Sequence, residues 1–102
     1  MVVRDENLIA RGRNLIVTQS DPTAHAETVA LRNAGNAMRH TDFSGFTLYT
    51  TFEPCPMCCG AILASGVSTL VLGARFQILH TRPVLQAFLE IEVPRCAVGM
   101  VD

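Results

Sequence analysis

Two short segments of this chain have to meet in space for its chemistry to exist: His25-Ala26-Glu27 and Pro54-Cys55-Pro56-Met57-Cys58. The first supplies an imidazole and a carboxylate, the second a pair of thiols. An imidazole and two thiolates are the borderline-to-soft donors that suit Zn²⁺. A shared ion would hold the two segments together across the intervening chain. Three protein ligands leave a fourth tetrahedral position for water, whose pKa zinc lowers towards neutrality. Glu27, two residues from His25, is then a candidate proton carrier. Such a set supports hydrolysis rather than a purely structural staple.

The spacing also carries local structure. Cys55 and Cys58 are separated by three, which puts both sulfurs on one side of a first helical turn, and Pro56 suits a helix's first position. Asp21-Pro22-Thr23 is a helix-start signal ahead of Glu27. Both ligand segments are therefore expected at helix N-termini, where the partial positive charge favours thiolate. Val2 to Ala10 reads as a hairpin turning at Asp5-Glu6-Asn7, and Arg11 to Ser20 as strand then loop. A helix is expected through Val29, Leu31 and Ala34, ending near Gly35-Asn36. A polar loop, His40 to Gly45, precedes a strand over Phe46 to Thr51. A second helix runs through Ala61, Ile62 and Leu63 to Ser65-Gly66, followed by a buried strand, Thr69 to Leu72. Thr81 to Glu90 reads as helical, with a last short strand around Cys96 to Val98. Such alternation predicts an α/β sheet between helical layers.

At 102 residues one domain, residues 1–102, is expected. The hydrophobic fraction of 49% suggests extensive buried sheet, a buried oligomer face, or both. No apolar run approaches the roughly 18–20 residues of a membrane span. Arg4, Asp5 and Glu6 interrupt any signal-peptide core, so a cytoplasmic location is expected. Net charge is −1 with 8 Lys+Arg and no basic tract. Nucleic-acid binders usually carry a positive stripe for phosphates, so a small uncharged substrate is favoured. Four cysteines, Cys55, Cys58, Cys59 and Cys96, could pair in a secreted chain. Nothing marks secretion, and the Cys-x-x-Cys spacing points to metal or redox use.

Arg11-Gly12-Arg13-Asn14, Asp21 to Glu27 and Leu48 to Cys58 extend the pattern. From about Val2 to Arg75 the chain resembles the cytidine and deoxycytidylate deaminase superfamily. It is most similar to the branch holding guanine deaminases, small-molecule cytosine deaminases and bacterial tRNA adenosine deaminases. The resemblance implies a three-layer α/β/α sandwich with a mixed central sheet. It implies one Zn²⁺ held by His25, Cys55 and Cys58, with Glu27 moving protons between water, ring nitrogen and departing ammonia. It further implies that Asn14 hydrogen-bonds the base, that the Ala26 N–H faces the base's Watson–Crick edge, and that the Pro54 carbonyl receives the leaving amine. A homodimer, in which one chain completes its neighbour's pocket, is implied as well. Against the family pattern the chain starts inside the first strand, without an N-terminal helix, and stops before a final helix.

Three functions compete. The leading one is hydrolytic deamination of a nucleobase or nucleoside of guanine, adenine or cytosine type. The second acts on adenosine in tRNA or single-stranded nucleic acid. It is disfavoured by the charge, and by Phe76-Gln77-Ile78-Leu79-His80 where tRNA-editing relatives have a Gly/Ala/Lys-rich loop. The third is an inactive, truncated zinc-binding relative. The Cys55/Cys58 pair alone would also suit a redox motif. A fourth ligand from Cys59, Cys96, His40 or His80 would make the zinc structural. Cys59 and Cys96 read as small core residues, His40 and His80 as loop or surface residues, and Met57 as packing in the helix turn.

Overall fold

The computed structural model describes residues 1–74 and 97–100. Strands β1 (Val2–Arg4) and β2 (Asn7–Ala10) form the expected hairpin. Asp5 and Glu6 both take positive φ, 51° and 66°, the left-handed pair that matches strand twist in a two-residue turn. After Ala10 the chain departs from expectation. Ile16–Gln19 form one helical turn, α1, in place of further strand. The Asn14 side-chain oxygen accepts the Ile16 N–H at 2.9 Å and so closes the turn that starts it.

Helix α2 spans Ala26–Met38 and begins later than the Asp21 signal suggests. Asp21 accepts the Thr23 N–H at 2.8 Å and the Thr23 hydroxyl at 2.7 Å. Asp21 thus closes a local turn ahead of the helix instead of capping it. The helix also runs past Gly35-Asn36 to Met38, with Arg39 closing it in the left-handed region. Ala34 is fully buried and Met38 packs against the core, and this burial outweighs the weak helix propensity of glycine.

Strand β3 (Thr47–Phe52), helix α3 (Pro56–Ser65) and strand β4 (Thr69–Ala74) form a parallel crossover unit, and β5 (Ala97–Met100) pairs parallel with β4. The sheet order is β2-β1-β3-β4-β5, with β1 antiparallel to both β2 and β3. The sheet is therefore mixed, as expected. Val2, Leu48, Leu70 and Leu72 are buried in one cluster with Ala30, Leu31 and Ala34 of α2 and Ile62 of α3. Leu48 stands opposite Leu70 in the β3–β4 register. Helices α2 and α3 thus cover the same face. The helix expected over Thr81–Glu90, with His80 and Cys96, lies outside the described residues. Among the described residues no helix is long and apolar enough to cross a membrane.

Candidate metal centre and adjacent carboxylate

Both ligand segments sit at helix starts, as the spacing predicts. His25 is the N-cap of α2 and Cys55 the N-cap of α3, each with extended backbone, and Pro56 occupies the first turn. Neither helix receives a side-chain cap. Cys55 follows the C-terminal end of parallel strand β3, the end at which open α/β sheets commonly place their ligands.

The donor atoms of His25, Cys55 and Cys58 all lie within 4.8 Å of one another. The Cys55 sulfur is 3.5 Å from His25 Nδ1. Tetrahedral zinc with ordinary Zn–S and Zn–N lengths separates such a pair by about 3.5 Å. Donor set and spacing therefore fit one zinc ion. Cys59 stands apart from this group. It is buried, and its thiol donates to the Pro54 carbonyl at 3.6 Å. His40 is an exposed residue whose ring meets Phe43 and Phe46 at 5.9 and 6.2 Å between centroids. Met57, expected to pack, is 39% exposed, because the first turn of α3 directs it away from the core.

Glu27, in the first turn of α2, is gripped from β3: the Thr50 hydroxyl donates to its Oε1 at 2.7 Å. The carboxylate also lies within hydrogen-bonding reach of the Cys58 thiol. Burial, chiefly, pushes that thiol up to about 12. The hydrogen bond to Glu27 and the charges of Glu27 and Cys55 push the same way, and the Thr28 hydroxyl, 3.4 Å away, opposes them. Burial thus outweighs the Thr28 hydroxyl, which on its own would favour thiolate. Zinc binding has to displace this proton.

Thr28 and Thr50 escaped the sequence reading. A signal for each was present. Thr28 falls three residues after His25, on the same side of α2. Thr50 falls two residues after buried Leu48, so a hydroxyl lies on the strand face that carries the core. Glu53, 5% exposed just ahead of Pro54, was also missed.

A cavity of about 330 Å³ opens beside the carboxylate, with Gly12, Ala26, Glu27, Ala30, Thr50 and Gly73 in its wall. That volume lies at the lower end of the range for small-molecule sites. None of the three metal-type ligands lines the cavity, so it meets the centre through Glu27 and its partner Thr50. Ala26 shares this wall. Asn14 and Pro54 do not. Asn14 is exposed and spends its oxygen on Ile16, and Pro54 is buried with its carbonyl accepting the Cys59 thiol.

Comparison with known proteins agrees with this geometry. A tRNA-specific adenosine deaminase of Buchnera aphidicola subsp. Schizaphis graminum is 42% identical over 93 residues, covering 90% of this chain and 62% of its own length. Guanine deaminase of Bacillus subtilis (strain 168) is 47% identical over 62 residues, 61% of this chain and 40% of the relative. The X-ray structure of guanine deaminase from Bacillus subtilis superposes with a TM-score of 0.71 at 38% identity, over 85% of this chain and 53% of that one. The chain thus spans less than two thirds of the length of each. The family described as the cytidine and deoxycytidylate deaminase zinc-binding region matches residues 1–74. That match runs over more than half of the sequence, with the cytidine deaminase-like α/β fold behind it, and the chain belongs to this family.

Proposed function

We propose that this chain, as a single domain, carries a zinc-dependent deaminase site that replaces the exocyclic amine of a nucleobase or nucleoside with oxygen, taking in water and releasing ammonia. The observation that carries the reading is the carboxylate of Glu27 set beside a three-donor group spaced for tetrahedral zinc. His25, Cys55 and Cys58 would hold the ion, which when bound would act as a Lewis acid and make water more acidic. Glu27 accepts the water proton and hands protons to the ring nitrogen and to the departing nitrogen. The first turns of α2 and α3 add positive potential at this place. Asn14, the Ala26 N–H and the Pro54 carbonyl are proposed contacts to the base. For Pro54, the Cys59 thiol would have to share its acceptor.

A second substrate, adenosine within tRNA, is favoured by the names of several relatives. The net charge of −1 and the small cavity favour a free base or nucleoside. Salt separates the two, since binding to a polyanion weakens steeply with ionic strength and binding of a neutral base hardly changes. Homodimeric, cytoplasmic assembly completes the reading. The test is ammonia release by the zinc-loaded chain from guanine, adenine, adenosine, cytosine and a tRNA. Glu27→Gln is expected to lose roughly 10²–10⁴-fold in turnover while keeping its zinc. Zinc-loaded chain that releases no ammonia from any of these substrates would overturn the reading.

A further inference from the structure

Glu27 borders open volume. The cavity of about 330 Å³ has Glu27 and Thr50 in the same wall, so the carboxylate has room to swing away from the centre. The Thr50 hydroxyl holds it, donating to Oε1 at 2.7 Å. Thr50 stands on β3 and is not one of the three metal-type donors, so its hydroxyl stays available to the carboxylate. The same hydroxyl also lies 3.0 Å from the Phe52 carbonyl, a second acceptor in the stretch that leads to Cys55. One proton therefore lies between two acceptors, one on α2 and one on the approach to the ligand loop. The 2.7 Å contact has the length expected when the acceptor is a carboxylate.

We propose that Thr50 is a positioning residue: its hydroxyl tethers Oε1 of Glu27 and keeps the carboxylate facing the His25/Cys55/Cys58 group instead of the adjoining cavity. This rests on the deaminase reading for its kinetic consequence, but the tether itself has a direct readout. Thr50→Val keeps the side-chain shape and removes the donor. Thr50→Ser keeps the donor.

The experiment compares wild type, Thr50→Val and Thr50→Ser as zinc-loaded full chains. Ammonia release is followed from guanine, adenosine and cytosine, zinc affinity by chelator competition, and stability by thermal melting. The Glu27 carboxylate stretch is isolated by infrared difference against Glu27→Gln in ¹³C-glutamate-labelled protein. Thr50→Val is expected to lower kcat roughly 10–100-fold, the scale of a misplaced reacting group. KM, zinc affinity and melting temperature should stay within about two-fold or a few degrees of wild type, as for a change that touches no ligand. The Glu27 band should move in Thr50→Val and return in Thr50→Ser, which should also recover most of kcat. An unmoved band, an undiminished kcat in Thr50→Val, or no rescue by Thr50→Ser would overturn the tether. So would a loss of kcat that merely follows lost zinc or lost stability. If wild type itself releases no ammonia, the deaminase reading fails, and the infrared band alone decides whether Thr50 holds Glu27.

Discussion

Cys58 shows how one side chain balances competing demands. It is fully buried, sits in the first turn of a helix, and lies beside both Glu27 and Cys55. Burial dominates, so its thiol titrates near 12 instead of at the ordinary 9.0. Between those values the metal-free native chain keeps a proton that the unfolded chain has released. Stability is therefore fully present below about pH 9 and falls as pH rises towards 12. Denaturant midpoints of the metal-free protein, measured between pH 7 and pH 11, should be level at first and then decline. Cys58→Ala should flatten that decline. A decline of equal slope in the variant would mean that another group is responsible. The candidate donors at this scale were legible in the sequence, because donor type and a three-residue spacing are local properties. Thr28 and Thr50 were not, since what a hydroxyl touches depends on which strand or helix is laid against it.

Among the elements, the segment after β2 crosses the start of α2, the helix that His25 caps. Gly12 crosses α2 so closely that a Cβ there would stand 2.3 Å from both the Ala26 carbonyl oxygen and the Ala30 nitrogen. Those atoms are helix backbone and cannot turn aside. Gly12→Ala should therefore push α2 outward, costing about 1–3 kcal/mol as overpacking does. It should also weaken zinc binding, because His25 caps that helix. Thermal melting and chelator competition check both parts. A variant with wild-type zinc affinity would show that the crossing does not position the ligand. The neighbouring elements divide by the range of the forces that set them. The β1–β2 hairpin and the Pro56 start of α3 follow from turn chemistry and proline geometry, and both were expected. The short α1 and the delayed start of α2 arise from Asn14 and Asp21 bonding within their own turns, which the residue types allow without specifying.

At the scale of the whole molecule, His25 and the two cysteines bring the starts of α2 and α3 close together. An ion held there would bind the folded chain and find no preformed site in the unfolded one. At free zinc 100 times its Kd the gain is about 2.7 kcal/mol, or roughly 10–20 °C in melting temperature for a domain of this size. Chelation should remove that increment, and Cys55→Ser should melt at the chelated value with or without zinc. A wild-type melting temperature indifferent to zinc would show that no ion spans the two helices.

The donor set, its place at two helix starts and the mixed α/β layout could all be read from the amino acids in order, because they rest on neighbours within a turn or on strand periodicity. Which hydroxyl grips Glu27, how tightly Gly12 crosses α2 and how deeply Cys58 is buried could not. Those features join residues far apart along the chain, and they exist only once β3 has been laid against β1 and β4 and the two helices have closed over the same face. Side-chain chemistry supplies the groups, and packing against the sheet sets the distances between them.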